Sequence, residues 1–191
     1  MKTWLTVMVL LSSSMAQAAY IEPMVGVRTG SLYGLTTGLR GGTEWKGWDF
    51  SLGYDRTLWA NMNSEASISE EGRLDTLGGE IARIIPISGG LRATVGAGVG
   101  YAIPSLDREK ADNGPIYTFG VGLNYDLGGN WSLGGSVKAS WFTTDTHRTI
   151  SDSHMETLST GQEVEVEDIT HVDNRVRLDG AVLGIAVRYS F

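Results

Sequence analysis

The sequence predicts an all-β protein of eight antiparallel strands, and three observations carry that prediction. Apolar and polar residues alternate strictly over most of the chain, as they do in strands whose two faces meet different surroundings. Glycine is frequent, with 26 residues, and proline is rare, with 4. This composition is typical of tight turns and close strand packing. Short and long connections between the alternating segments follow one another in turn, which indicates an up-and-down arrangement.

Five of the predicted strands alternate cleanly. They span residues 35–45, 48–55, 91–103, 117–127 and 131–141. In each of them the large apolar and aromatic residues share one face, and the other face carries Gly, Ser, Thr and charged residues. Side chains alternate between the two sides of a strand, so each segment has one apolar and one polar surface.

Three further strands complete the count. They are residues 20–29, residues 74–85 and the C-terminal segment that begins near Leu178. In the second of these, Leu77 and Ile81 fall on the apolar face and Glu80 on the polar face. Simple alternation also places Arg83 on the apolar face. That position requires either a β-bulge or an arginine that snorkels at a membrane edge.

The connections differ in length at the two ends of the strands. The short ones are residues 46–47, 87–90 and 128–130. Those at the other end are residues 31–34, 57–73, 104–115 and 143–177, of which the last three are long and polar. With eight antiparallel strands, both termini lie at the short-turn end.

The first 18 residues predict a secretory signal peptide. Lys2 precedes a short apolar run at residues 4–11, and Ala16-Gln17-Ala18 is a small-x-small cleavage pattern. The alternative is a membrane anchor or a buried strand, but the run is well short of the roughly 20 apolar residues that span a bilayer. Cleavage after Ala18 leaves residues 19–191 as one domain.

The charge and the cysteine content exclude some functions. The whole chain carries 22 acidic and 15 basic residues and has no cysteine. An acidic chain of this kind is not expected to bind nucleic acid. The sequence also presents no pattern that predicts a cofactor site, because no helix follows the glycine-rich strand at residues 96–100 as a dinucleotide loop would require.

The apolar face is predicted to point outward into lipid. The polar face is small and rich in glycine, as Gly96-x-Gly98-x-Gly100 shows, which suits a narrow lumen. Aromatic residues cluster at both ends of the apolar face: Trp45, Trp48, Tyr125, Trp131, Tyr189 and Phe191 at the short-turn end, and Trp59, Tyr101, Tyr117 and Trp141 toward the long loops. Two aromatic belts around an apolar band indicate a transmembrane β-barrel. The alternative, a soluble lipocalin-like barrel, would hide its large apolar residues inside.

The chain resembles the small eight-stranded outer-membrane β-barrels of bacteria, namely the OmpA-type transmembrane domain, the Ail/OmpX-like proteins and the opacity-type proteins. The terminal Tyr189-x-Phe191, the strand Gly96-Ala97-Gly98-Val99-Gly100-Tyr101 and the short turns carry this resemblance. It covers residues 19–191 and is specific for architecture, with short periplasmic turns and longer extracellular loops. It implies a Gram-negative-type outer membrane, contact with its lipid and lipopolysaccharide, and reading of Tyr189 and Phe191 as an assembly signal by the barrel-assembly machinery.

Charged residues on the polar face predict a lumenal charge network. Arg40, Glu80 and Lys138 are placed near mid-height, and Glu44, Asp49, Arg92, Asp126 and Arg188 are placed in a lower layer. Charges inside a narrow barrel must pair or stay hydrated. The network is either a set of salt bridges that fills the lumen or the gate of a narrow ion or small-solute channel. The OmpA-type barrels are similar in having an internal charge network.

The loop at residues 143–177 is the second candidate site. It holds all three histidines, and Glu163, Glu165 and Glu167 alternate with valines, which predicts a hairpin that extends beyond the membrane. Three interpretations stay open. The hairpin binds a host or surface ligand by strand addition, it is merely solvated, or some of its acids and His171 hold a divalent cation. That cation would lie among Glu165, Glu167, Asp168 and His171.

Catalysis is the least favoured function. Asp152, Ser153 and His154 are adjacent in sequence, which rarely produces the geometry of a triad, and no strand is expected to present a histidine. A lipid A-modifying enzyme is therefore only an alternative. The expected function is a non-enzymatic outer-membrane protein that presents surface loops for recognition or adhesion, or that supports envelope integrity.

Overall fold

The computed structural model describes residues 19–60, 71–106, 110–157 and 163–191. The predicted signal peptide lies outside these residues. The strands are β1 (Ala19–Gly30), β2 (Gly34–Trp45), β3 (Trp48–Ala60), β4 (Glu71–Ser88), β5 (Leu91–Leu106), β6 (Lys110–Ala111), β7 (Gly114–Gly128), β8 (Trp131–Trp141), β9 (Thr143–Thr157), β10 (Glu163–Arg177) and β11 (Gly180–Ser190). Among these residues no helix has the length and apolar character needed to cross a membrane.

Eight of the strands form a closed antiparallel barrel in the order β1-β11-β8-β7-β5-β4-β3-β2. The predicted fold class is confirmed, and β11 pairs with β1 to close it. The Phe191 amide donates to the Ala19 carbonyl across a distance of 2.9 Å, so both ends of the barrel chain meet at the short-turn end. Several strands are longer than the alternation predicted, since β4 and β5 continue to Glu71 and Leu106 at their outer ends.

The register of the strands fixes a narrow barrel. Starting at Val25, the cross-strand partners can be followed around the barrel wall in both directions until each path reaches β5. One direction leads to Ile103 and the other leads to Ala93, ten residues away on the same strand. A stagger of this size in eight strands tilts them steeply and leaves a lumen that side chains can fill.

The two-residue turn between β2 and β3 explains the sharp reversal at the periplasmic end. Lys46 has φ 49° and Gly47 has φ 78°, which is the pattern of a type I′ turn. This turn type matches the right-handed twist of the two strands. Lys46 is the single non-glycine residue with positive φ in the described ranges.

The outer surface of the barrel wall is apolar. Leu52, Leu77, Leu183 and Ile185 are 59 to 64% exposed although they lie in the middle of strands. In a soluble barrel these side chains would point inward, so the lipocalin-like alternative is wrong for this chain.

Arg83 lies on the same outward face near the short turns. Its guanidinium carbon is 5.3 Å from the centroid of the Trp48 ring, and Nη1 donates to the Lys46 carbonyl at 3.3 Å. The register shift of β4 lies further along, between Pro86 and Ser88. Of the two explanations for Arg83, the structure favours an arginine that snorkels to the membrane edge.

An apolar cluster closes the lumen at its outer end. We call it the outer plug; it consists of Leu32, Trp59, Leu74, Ala102, Ile116, Phe142 and Leu178. The sequence analysis placed Trp59 in the outer aromatic belt, and that assignment is wrong. Leu58 is outward and 52% exposed, so the next residue, Trp59, points inward and is only 4% exposed.

Strands β9 and β10 form a long hairpin beyond the barrel wall. They pair residue by residue from Thr143 with Arg177 to Thr157 with Glu163. The short strand β6 adds to the other edge of β9, which produces a small sheet in the order β10-β9-β6. The predicted outer loop is therefore largely strand. Its first residue follows β8 almost directly, and the Leu178 amide donates to the Phe142 carbonyl at 2.8 Å where the hairpin meets the barrel.

Two lumenal glycines give a matched test of how closely the strands approach. A Cβ atom on Gly100 would lie 2.6 Å from the Leu77 carbonyl oxygen and 2.9 Å from the Gly78 Cα atom. A Cβ atom on Gly120 would meet its nearest neighbour, the Val137 carbonyl oxygen, at an ordinary 3.5 Å. We expect Gly100→Ala to lower the free energy of unfolding by about 1–3 kcal/mol.

The control is Gly120→Ala, which should be neutral or stabilising by up to about 1 kcal/mol because alanine reduces the freedom of the unfolded chain. The measurement is urea unfolding of the folded barrel in detergent, followed by tryptophan fluorescence. Equal effects of the two substitutions would contradict the close approach of β4 and β5.

Candidate functional site

The mid-height group of charges surrounds the carboxylate of Glu80. Its Oε2 atom lies 2.7 Å from Lys138 Nζ and 3.5 Å from Arg40 Nη2. All three side chains are 15 to 17% exposed, because they point into the lumen from β4, β8 and β2. One anion between two cations is an arrangement that a poorly hydrated space tolerates.

Arg188 on β11 organises the lower group. Its three guanidinium nitrogens each contact a different carboxylate: Glu22 at 2.7 Å, Glu44 at 2.7 Å and Asp49 at 3.1 Å. The guanidinium carbon also lies 3.7 Å from the centroid of the Tyr20 ring, and the Tyr20 hydroxyl donates to Asp49 Oδ1 at 2.6 Å. Arg188 is only 4% exposed, so these contacts replace the water that it loses.

Arg92 continues the network toward the periplasmic end. It contacts Glu44 at 2.9 Å and Asp126 at 2.9 Å. The Asp126 side chain is 48% exposed, so this end of the network reaches solvent. The lower group is thus a graded arrangement, buried at Arg188 and open at Asp126.

Glu22 joins the two groups, and the sequence analysis missed it. It contacts Arg188 on one side and Arg40, at 3.7 Å, on the other. The signal was present, because Glu22 lies between two residues of the apolar face of β1 and must therefore point inward. The structure thus connects all eight predicted lumenal residues through contacts that include Glu22; the eight are Arg40, Glu44, Asp49, Glu80, Arg92, Asp126, Lys138 and Arg188.

Small cavities lie beside the charges in the lumen. One has a volume of about 50 Å³ and is lined by Asp55, Glu80 and Lys138 among others. A second has about 30 Å³ and lies between Arg40 and Arg188. Each has room for a few water molecules. Nearer the plug, the buried Arg28 donates to the Ser140 hydroxyl and the Leu178 carbonyl, both at 2.8 Å.

The hairpin carries the three histidines. His147 Nδ1 lies 2.8 Å from Asp173, and its Nε2 lies 3.5 Å from Asp112 next to β6. Hydrogen bonds to Asp173 and Asp112 raise the pKa of His147 above its usual 6.5. The cationic form therefore ties β6 to the hairpin. This stabilisation is fully present below pH 6.5 and is lost as the pH rises through the raised pKa.

The expectation that no strand presents a histidine is wrong. His147 and His154 lie on β9, and His171 lies on β10. The alternating polar run continues as strand because β9 and β10 pair along their whole length. His154 Nδ1 lies 3.6 Å from Asp168, and His171 Nδ1 lies 3.3 Å from the Thr149 hydroxyl.

Among the described side chains, these positions bring together neither a Ser–His pair nor a metal site. Ser153 and His154 are consecutive residues of β9, so their side chains point to opposite faces of the hairpin and cannot form a Ser–His pair. In the described part of the chain, no group of three or more His, Cys, Asp or Glu side chains is arranged to hold a metal ion. The side chains of Glu165 and Glu167 lie outside what the structure describes.

The C-terminal aromatics form a cluster at the periplasmic border. The ring centroids of Tyr189 and Trp131 are 4.8 Å apart, and those of Tyr189 and Phe191 are 5.3 Å apart. Phe191 is 75% exposed. The terminal residue therefore presents an aromatic ring on the outside of the barrel, next to the closing seam.

Comparison with solved structures shows the fold of small outer-membrane barrels. Neisserial surface protein A is 13% identical to this chain with a TM-score of 0.62, and the match covers 91% of this chain and 96% of that one. OprG from Pseudomonas aeruginosa is 12% identical with a TM-score of 0.63 over 91% and 96%. A major outer membrane protein from Thermus thermophilus is 14% identical with a TM-score of 0.57 over 92% and 100%. No protein-family model matches the sequence, and no curated protein matches it.

The apolar band gives this fold its location. Large outward side chains between two aromatic borders form a surface that only lipid can cover without cost. Together with the outer-membrane barrel fold, this surface places the chain in a bacterial outer membrane.

The central contact of the lumen yields a double-mutant prediction. Glu80→Ala removes the carboxylate that Lys138 and Arg40 share, so we expect it to lower the free energy of unfolding by about 3–5 kcal/mol. Lys138→Met should be milder, because Arg40 still pairs with Glu80. The double variant should be more stable than the sum of the two single effects predicts. The measurement is denaturant unfolding in detergent, and strictly additive effects would contradict the coupling.

Proposed function

We propose that this chain is a non-enzymatic outer-membrane protein whose outer hairpin recognises a ligand at the cell surface. The observation that carries the proposal is the hairpin itself. It continues from the barrel wall for fifteen paired residues on each strand, which is far more than closing the barrel requires.

The edge of the hairpin supports recognition by strand addition. Within the described ranges β10 pairs with β9 alone, so its other edge offers backbone groups to an incoming strand. Side chains add apolar contact area: Met155 and Ile169 are 61% and 59% exposed. By register both lie on one face, since Ile169 pairs with Ser151.

The charge of the hairpin defines the kind of ligand. Residues 143–177 contain eight acidic and three basic residues. A ligand that adds a strand here should therefore carry basic side chains, because opposite charges steer association and like charges oppose it. The interpretation of the hairpin as merely solvated remains the alternative that the experiment below must exclude.

The lumen favours this function over a channel. Salt bridges occupy its lower and middle parts, and the outer plug closes the top. Two cavities in this part of the lumen have volumes of only about 50 and 30 Å³. The charge network thus serves as the polar half of a filled core, which also suits a role in envelope integrity.

A hairpin replacement tests the recognition function. Thr146 and Asn174 are cross-strand partners, so His147→Asn and Asp173→Gly with removal of residues 148–172 joins them through an Asn-Gly turn. The shortened chain should fold as a barrel and should lose binding to host matrix proteins, serum factors or cells that the intact chain binds. Binding is measured with the purified barrels on coated surfaces.

A charge variant is the matched control. Glu163→Gln, Glu165→Gln and Glu167→Gln together keep the strand and remove part of its negative charge. Weakened binding would show that the acidic character selects the ligand, and unchanged binding would assign recognition to the strand edge. If the intact and the shortened chain bind equally, the hairpin is not the recognition surface. Steady conductance of the intact chain in a planar bilayer would favour the channel instead.

The exposed terminal aromatics are proposed to guide assembly. Tyr189 and Phe191 would be read by the barrel-assembly machinery, as the resemblance implies, and they also pack beside the closing seam. Phe191→Asp should reduce the folded band in heat-modifiable gel migration of membranes from expressing cells. Ser190→Asp is a control of equal charge at a neighbouring position. A normal folded yield for Phe191→Asp would refute the assembly role.

A further inference from the structure

Charge on the outward face of the barrel wall is concentrated at one place. Among the barrel-strand residues whose side chains the structure describes, outward alternation assigns charged side chains to Arg56, Arg73, Asp75 and Arg83. Arg83 lies at the periplasmic border, whereas the other three lie together at the outer end of β3 and β4. We call Arg56 and Arg73 the outer arginine pair, and we call Asp75 the bridging aspartate.

The orientation of Asp75 follows from its neighbours on β4. Leu74 belongs to the outer plug, and Thr76 lines a lumenal cavity. Asp75 lies between them and therefore points outward, even though it is only 8% exposed. It is covered by the side chains that bind it rather than by the barrel interior.

The bridging aspartate contacts both arginines and leaves them partly exposed. Arg56 Nε contacts Asp75 Oδ1 at 2.8 Å, and Arg73 Nε contacts Asp75 Oδ2 at 2.9 Å. The Tyr54 hydroxyl also donates to Oδ1 at 2.6 Å. Both carboxylate oxygens are thus occupied, and the Arg56 guanidinium carbon also lies 5.8 Å from the centroid of the Tyr54 ring. These side chains are 42% and 45% exposed.

The height of the pair matches the lipid headgroups of the outer leaflet. Leu77 is the cross-strand partner of Tyr101 in the outer aromatic belt, and Asp75 lies two residues beyond it toward the outside. Arginine on a lipid-facing surface is costly at the bilayer centre and nearly free at the interface. Below the pair, the same face presents Leu77 and Gly79, next to Leu52 on β3, as an apolar surface for acyl chains.

We propose that the outer arginine pair binds a phosphate group of an outer-leaflet lipid. The two guanidinium groups are held about one carboxylate, exceed its charge by one positive unit and remain 42% and 45% exposed. Guanidinium groups bind phosphate oxygens through parallel N–H donors. The lipid chains extend along the apolar wall below. This inference concerns the barrel wall and is independent of the hairpin.

Lipid binding to the folded chain in detergent tests the proposal, measured by native mass spectrometry. The probes are lipid A, dephosphorylated lipid A and inorganic phosphate. Arg56→Gln with Arg73→Gln should weaken lipid A binding roughly tenfold, since each basic residue near a membrane surface contributes a small, separable attraction. The unchanged chain should bind dephosphorylated lipid A about tenfold more weakly than lipid A. The double variant should bind the two lipids equally well.

Arg83→Gln is the matched control, because it removes an outward arginine at the opposite border. It should leave lipid A binding unchanged. The proposal is overturned if the double variant binds lipid A as the control does. It is also overturned if millimolar inorganic phosphate displaces the lipid, because the site would then serve a free anion.

A second variant keeps the test decisive if the double variant does not fold, which heat-modifiable migration reveals. Asp75→Asn removes the competing negative charge and keeps both arginines. It should strengthen lipid A binding several-fold and should have little effect with dephosphorylated lipid A. Unchanged or weaker binding of lipid A by a folded Asp75→Asn chain would overturn the proposal.

Discussion

Every backbone amide within the hydrocarbon layer must find its partner inside the protein, and the rest of this structure follows from that constraint. A flat sheet would leave two unpaired edges in lipid, each costing several kcal/mol for every unsatisfied group. The pairing of β1 with β11 removes both edges. Closure with a ten-residue stagger then sets a narrow lumen, and the narrow lumen decides which side chains fit inside. Glycine is used where backbones approach, as at Gly78 and Gly100.

The lumen is filled by two chemically different layers. The lower layer is a chain of ion pairs from Asp126 through Arg188 to Glu80, and the upper layer is the outer plug. Ion pairs in a confined space need nearly complete pairing, and the four cations of the network face five carboxylates. An apolar plug needs no pairing but would not tolerate the water that the lower end admits. The ion pairs therefore lie at the hydrated periplasmic end, and the apolar plug lies at the outer end.

Much of this arrangement could be predicted from the sequence, because one rule governs a strand: successive side chains face opposite sides. Alternation alone points Arg40, Glu80 and Lys138 to the same side, and the fold class follows from its recurrence. The errors arose where the rule was not applied. Trp59 was grouped with the outer aromatics by its position along the chain rather than by its parity with Leu58, and Glu22 was passed over beside Ile21. Arg56 was missed because the predicted strand ended one residue earlier. Pairing distances, the length of the β9–β10 ladder and the sharing of Asp75 by two arginines depend on register, which composition and alternation do not determine.

The graded exposure of the lower layer has a consequence for how the lumen senses its surroundings. Asp126 meets solvent on the periplasmic side, while Trp59, Phe142 and their neighbours seal the opposite mouth. In the part of the chain that the structure describes, the salt bridges therefore meet solvent at the periplasmic end and the outer plug at the other. In an intact cell, the ionic strength of the external medium would not screen these charges, and the composition of the periplasm would. The charged lumen thus opens toward the periplasm, whereas the hairpin extends from the opposite, outer end of the barrel.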